Sequence, residues 1–182
     1  VNAQSTEQLV RDLSTNYENL KFVLISSLAV SGPSSKDNPA KEDKAPAPVS
    51  QYGQSKYLGE MALTENAPKT WNNVIIRPPM VIGPRDSAAL DLFKMVKSGL
   101  ILVAGLNGAK NKYSFVSVFD LVDTIEKSIH LQSDETEIFH PAHPRILGYM
   151  EIINIIKRIM DKKSTFTVSI PIFFLRLLAY LI

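Results

Sequence analysis

Apolar positions recur at two different spacings along this chain, and the spacing sorts it into helices and strands. Leu9, Val10, Leu13 and Tyr17 repeat at helical intervals, which predicts an amphipathic helix over 3–17. Lys21-Phe-Val-Leu-Ile-Ser-Ser27 is short, apolar and partly β-branched, the pattern of a buried parallel strand. From Gly32 to Ser50 the chain is polar and holds Pro33, Pro39, Pro46 and Pro48, so it reads as a long functional loop. A helix is expected from about Ser50 to Asn66, ended by Pro68, then a buried strand Asn73–Arg77 stopped by Pro78 and Pro79. Beyond Gly83-Pro84 the alternation continues as helix 87–98, strand 101–104, loop 105–112 and strand 114–118. Helix 119–130, strand 137–140, helix 148–161, strand 165–168 and an apolar terminal helix follow. Helices and strands alternating at these lengths imply βαβ units and a mostly parallel sheet, so the fold class is α/β.

Composition narrows the picture. The chain has 182 residues, 45% of them hydrophobic, and its net charge is +2. That balance carries no nucleic-acid footprint, and disorder or a disulfide scaffold is equally out of character. The lack of cysteine removes thiolate catalysis and Cys-based metal sites, and it suits a reducing, cytoplasmic setting. The chain opens at Val1 without Met and closes inside the apolar run Ser169–Ile182, so it is read as a piece of a longer protein.

Ligands of open parallel sheets sit at the carboxyl ends of the strands, which directs attention to the positions after Ser27, Arg77 and Val118. Tyr52 and Lys56 lie four apart on one face of the expected helix. An ammonium one turn from a phenol favours the phenolate, making Tyr52 a candidate proton donor or acceptor near neutral pH. Lys56 keeps further donors for a ligand hydroxyl. Alone the pair is weak, since chance also supplies Tyr17 and Lys21 at the same spacing, where a helix ends and a strand begins. Its context is stronger: the strand ending at Ser26-Ser27 offers a hydroxyl that could hold a carbonyl oxygen beside Tyr52.

The segments Val23-Leu-Ile-Ser-Ser-Leu-Ala-Val30-Ser-Gly32, Tyr52-Gly-Gln-Ser-Lys56, Arg77-Pro-Pro-Met-Val-Ile-Gly83-Pro84 and Ser114-Phe-Val-Ser-Val-Phe-Asp120-Leu-Val together resemble the extended short-chain dehydrogenase/reductase family. Nucleotide-sugar epimerases, 3-beta-hydroxysteroid dehydrogenases and dihydroflavonol reductases belong to it. Val1-Asn-Ala-Gln-Ser-Thr6 is similar to its Asn-x-x-Gly-Thr motif, and the motifs run in family order to about residue 124. The resemblance implies the C-terminal part of a Rossmann-type doubly wound parallel sheet plus a small substrate-binding lobe. The division implied is 1–84 with 114–143 for the former, and 85–113 with 144–182 for the latter.

The resemblance also implies roles. Ser27 would polarise the substrate oxygen, Tyr52 would be the acid/base, Lys56 would hold the nicotinamide ribose, and Asn2 would support the site. Ser27 is preferred to Ser26 because it lies three before Val30. Pro78, Pro79 and Val81 would line the nicotinamide pocket, with NAD or NADP carrying the redox chemistry. Substrate contacts would come from Ser27, Met80, Arg85 and Tyr113. The implied activity is an NAD(P)-dependent oxidoreductase or epimerase acting on a hydroxyl or carbonyl of a small molecule, a nucleotide sugar or a steroid- or lipid-like compound. The alternative is a non-catalytic binding module of the same fold.

Departures from the family pattern sharpen the reading. No Gly-rich dinucleotide fingerprint occurs in the chain, so the piece by itself is expected to be inactive, and the choice between NAD and NADP is not legible. Sugar 4,6-dehydratases carry Asp-Glu after the catalytic hydroxyl, whereas Leu28-Ala29 stand here, which argues against dehydration. Met80 replaces an Asn usual in nucleotide-sugar epimerases, and Arg is missing near Tyr113, although Lys112 or Arg85 could contact phosphate.

Other signals carry less. His140-Pro-Ala-His143 lacks a third ligand and is flanked by prolines, so it reads as a turn and no metal site is expected. The run 170–182 is too short to span a bilayer and contains Arg176; a buried helix and a membrane-touching one both remain open. A homodimer is expected.

Overall fold

The structure is a computed structural model that describes residues 2–35 and 38–174. It divides into two compact units, Val1–Val81 with Phe115–Ala142, and Ile82–Ser114 with His143–Ile182.

The first unit is built on three parallel strands. Helix α1 (Asn2–Ser14) leads into β1 (Lys21–Ile25) and a 3-10 turn, Leu28–Ser31. After the long loop come α2 (Gln51–Asn66), β2 (Asn72–Ile76) and β3 (Met80–Ile82). Strand β2 lies in the centre of the sheet, pairing with β1 through Val23↔Val74 and Ile25↔Ile76. Its other neighbour, β7 (Glu137–Phe139), pairs through Ile75↔Ile138. Because side chains alternate across a strand, β2 feeds two cores. Ile75 joins Val10, Leu63 and Trp71, with Leu13, Phe22 and Ile138 packed around them. Val74 and Ile76 join Val116 and Leu121 of β6 (Phe115–Ser117) and α4 (Val118–His130). Burial on both faces is why Val74–Ile76 reads as an unbroken apolar run in the sequence. Trp71 stacks on Phe22 at 6.0 Å and donates from its indole N–H to the Tyr17 carbonyl at 3.0 Å, which satisfies its one polar group.

In the second unit α3 (Ser87–Ser98), β4 (Leu100–Ala104), β5 (Lys112–Tyr113), β8 (Leu147–Gly148), α5 (Tyr149–Ile159) and β9 (Phe166–Ile170) follow one another. β4 and β9 pair in parallel, β5 and β8 antiparallel. Val96, Ile101, Val103, Ile153 and Ile156 form the core. The Glu151 carboxylate accepts from the Gly148 N–H at 2.9 Å at the start of α5, and also binds Arg145. That backbone hydrogen bond, with Arg145 second, holds the carboxyl below its usual range.

Three expectations are corrected. The strand expected at 114–118 splits around Ser114: Lys112–Tyr113 pairs with β8 and Phe115–Ser117 with β3. Ser117 is already a helix cap, its Oγ accepting from the Asp120 N–H at 3.0 Å, so Val118 is the first residue of α4. The segment after Pro78-Pro79 resumes as β3, and β8 is likewise new; strands of two or three residues are too short to show a period. The strand expected at 165–168 runs on to Ile170. Of the expected terminal helix, Ile172–Phe174 are helical and 175–182 lie outside the described residues. Among the described residues no helix is long and apolar enough to cross a membrane.

Leu63 is fully buried at the meeting of α1, α2 and β2. Leu63→Ala is expected to cost about 2–5 kcal/mol by loss of transfer energy and creation of a cavity. Leu58→Ala, one turn earlier on the solvent side, should cost well under about 1 kcal/mol. Urea unfolding of the two variants measures the difference.

Candidate functional site

The site grows from the carboxyl ends of β1 and β2 and the first turns of α2. Ser50 caps α2, its Oγ accepting from the Gly53 N–H at 3.0 Å, in line with the helix start expected near Ser50. Gly53 lets the helix approach closely: a Cβ there would sit 2.6 Å from the Ala29 carbonyl oxygen. Gly32, at φ 71, plays the matching part at the start of the loop, because the Ala47 carbonyl fills the space a side chain would need. The loop is therefore closed onto itself just before α2, with the Ala47 N–H donating to Val30 at 3.0 Å. Its middle is tied to the end of β7, where His140 makes a ring-nitrogen contact with the Ala40 carbonyl and its N–H donates to Glu42.

Tyr52, Lys56 and Glu60 fall at successive turns on one face of α2. Tyr52 is 55% exposed, whereas Glu60 is buried. Lys56 Nζ lies 5.9 Å from the Tyr52 ring centroid and donates to the Ile25 carbonyl at 3.2 Å. One turn deeper, Glu60 accepts from Ser26 Oγ and takes a two-pronged grip from Arg77, Nε at 2.9 Å and Nη2 at 2.7 Å. Ser26, Glu60 and Arg77 are all at or below 4% exposed. Two rungs thus join α2 to the end of β1, Lys56 to Ile25 and Glu60 to Ser26. Arg77 extends the second to the end of β2.

The two adjacent serines separate by environment. Ser26 turns inward to Glu60, while Ser27 is half-buried and caps the 3-10 turn, accepting from the Ala29 N–H at 3.2 Å. The Leu28 N–H donates to the Pro78 carbonyl at 2.9 Å, which brings the segment holding Pro78, Pro79, Met80 and Val81 against the same strand end. Ser27, Tyr52, Lys56 and Pro78–Val81 are therefore gathered within the first unit. Asn2 is the first residue of α1, and its side chain lies outside the described residues. Arg85 and Tyr113 belong to the second unit. Arg85 is exposed with φ 70, and Tyr113 sits in β5 opposite Leu147. Near it the Tyr149 phenol donates to the Leu102 carbonyl at 2.8 Å, and burial, with Tyr113 second, pushes that phenol up. Among the described residues no cluster of His, Asp or Glu could hold a metal.

The Ser26–Glu60–Arg77 network escaped the sequence reading. Its signals were an arginine closing an otherwise apolar strand and a glutamate in register with Tyr52 and Lys56, yet nothing local pairs residues 17 apart.

The three parallel strands with helices on both faces, and polar groups gathered at their carboxyl ends, define a Rossmann-type α/β arrangement. The chain belongs to the NAD dependent epimerase/dehydratase family, whose model matches residues 1–139. It is 31% identical over 155 residues to a UDP-glucose 4-epimerase of Vibrio cholerae, covering 84% of this chain and 47% of the relative. The chain thus spans about half the length of that relative. The fold is shared with UDP-glucuronic acid 4-epimerase from Bacillus cereus, solved with UDP-glucuronic acid and NAD, at a TM-score of 0.77 and 23% identity, covering 93% of this chain and 54% of that one. It is shared too with dTDP-4-dehydrorhamnose reductase from Bacillus anthracis, solved with NADP, at 0.71 and 22%, covering 94% and 57%.

Removing one partner of a buried ion pair leaves an uncompensated charge. Arg77→Met is expected to cost about 3–5 kcal/mol, and the double variant with Glu60→Met to recover much of that loss. Guanidinium unfolding of the single and double variants measures it.

Proposed function

We propose that the protein carrying this chain is an NAD(P)-dependent epimerase or oxidoreductase of nucleotide sugars, with Tyr52 as acid/base, Lys56 beside it and Ser27 on the substrate oxygen. The observation that carries the reading is the placement of Lys56 between the Tyr52 ring and the Ile25 carbonyl, at the carboxyl end of a parallel strand. The Ile25 carbonyl accepts one of the three ammonium hydrogen bonds, which leaves Lys56 two further donors for a ligand. Ser27 Oγ spends its lone pair on the Ala29 N–H, which leaves the hydroxyl proton to donate to a carbonyl or alkoxide oxygen. Tyr52, more than half exposed, can then pass a proton to or from that oxygen.

The donor set suits the nicotinamide end of a dinucleotide: an ammonium and a phenol for ribose hydroxyls, beside the Pro78–Val81 backbone. When bound, the nicotinamide supplies the redox chemistry. The pyrophosphate end is not matched among the described residues, since neither G-x-G-x-x-G nor G-x-x-G-x-x-G occurs in them. Similarity to a UDP-glucose 4-epimerase favours a nucleotide-sugar substrate. Leu28-Ala29 after Ser27 favours epimerase or reductase over dehydratase, because no carboxylate is offered there for water elimination.

In the full-length protein Tyr52→Phe is expected to lower kcat by about 10²- to 10⁴-fold with folding retained, assayed with UDP-glucose and other UDP-hexoses. An unchanged rate would remove Tyr52 from the chemistry. Cofactor binding, followed by nicotinamide fluorescence, is expected to weaken in Lys56→Met; equal affinity would contradict the ribose assignment.

A further inference from the structure

Glu60, Arg77 and Ser26 touch none of the groups assigned to the reaction, yet all of them adjoin those groups along the chain. Ser26 precedes Ser27. Glu60 follows Lys56 by one helical turn, and Arg77 precedes Pro78. Backbone hydrogen bonds already bind β1 to β2 and β2 to β7 here, the Ser26 N–H donating to Ile76 at 2.7 Å and the Arg77 N–H to Phe139 at 2.8 Å. None of these bonds sets where α2 lies along the end of β1. Between those two elements run two polar rungs, Lys56 to the Ile25 carbonyl and Glu60 to the Ser26 hydroxyl. The rungs are four residues apart on the helix and one apart on the strand.

The two rungs differ in character. Lys56 has a flexible four-carbon stem and a single 3.2 Å contact, so by itself it tolerates sliding. Glu60 is buried and held on both oxygens by the planar fork of Arg77, and such a bidentate pair fixes both distance and orientation. The Ser26 hydroxyl is the link that transmits this fixed geometry to the strand end carrying Ser27.

We propose that Ser26, Glu60 and Arg77 form a positioning network that sets the register of the Tyr52–Lys56 face of α2 against Ser27, with Ser26 as its coupling residue. The proposal rests on the functional reading above for its effect on turnover, and on the geometry alone for its effect on Lys56. Ser26→Ala cuts the coupling while sparing the ion pair, because both Glu60 oxygens keep their Arg77 contacts. With the second rung gone, the Lys56–Ile25 contact loosens and the ammonium samples solvent. Ser26→Thr keeps a hydroxyl and restores the link.

The test uses the full-length protein and two readouts. The first is acetylation of individual lysines by limiting acetic anhydride, mapped by peptide mass, with exposed Lys69 of the same unit as internal reference. Ser26→Ala is expected to raise Lys56 labelling at least about threefold relative to Lys69, and Ser26→Thr to return it to the wild-type value. Unchanged Lys56 labelling in Ser26→Ala overturns the proposal, as does a rise that Ser26→Thr fails to reverse. The second readout is steady-state turnover of UDP-glucose. Ser26→Ala is expected to lower kcat about tenfold with KM within about twofold, since small misplacements of reacting groups act on the chemical step. A kcat within twofold of wild type, in a protein that Tyr52→Phe inactivates, overturns the positioning role. Should Tyr52→Phe leave turnover intact while Lys56 labelling still responds to Ser26, the functional reading falls and the network stands.

Discussion

A carboxylate and a guanidinium taken out of water tolerate little movement, because each loses its hydration and keeps only the other for compensation. Glu60 and Arg77 are in that condition, and they belong to a helix and to the end of the central strand. With Ser26 attached to the same carboxylate, α2, β1 and β2 meet at one point and cannot shift independently. Ser27, Lys56, Tyr52 and Pro78–Val81 all lie close to this junction along the chain. Ser27 follows one corner, Lys56 and Tyr52 lie one and about two turns up the helix from another, and Pro78–Val81 leave from the third. The cost of burying charge is offset by a rigid frame whose outer edge is left exposed to solvent.

The apolar layers do a different job. Ile75 on one face of β2, and Val74 with Ile76 on the other, hold helices to both sides of the sheet and bring the strand ends together. Burial of apolar area is non-directional, so these layers decide that the elements pack but leave some freedom in how far one slides on another. Close backbone approach at Gly53 and the polar rungs remove that freedom near the site. The long loop adds a third restraint. Its return at Gly32–Ala47 and the ties of its Ala40 and Glu42 to His140 hold it to the end of β7.

Much of the fold was legible because its signals are local. Val74–Ile76 is apolar on both faces, Ser50 stands in front of a helical pattern, and Pro68 follows the end of α2. The pairing of Tyr52 with Lys56 was legible for the same reason, since helical spacing alone puts them on one face. What stayed hidden was short or distant. The strands Met80–Ile82 and Leu147–Gly148 are too brief to carry a period, and Val118, which the apolar pattern places in a strand, opens α4 behind the Ser117 cap. The choice between Ser26 and Ser27 came from family resemblance, because sequence chemistry treats two adjacent serines alike.

By itself the sequence determined the α/β class, the order of its helices and strands, the helical Tyr52–Lys56 pair and the family motifs, all of which depend on residues near one another along the chain. Only the tertiary structure decided which serine turns inward, that Glu60 meets Arg77, and that Lys56 reaches across to the Ile25 carbonyl. Those contacts join residues 17 to 34 apart in the chain. Their geometry follows from how strands align and how closely a glycine-containing helix can approach them, a matter of packing in three dimensions that no local pattern encodes.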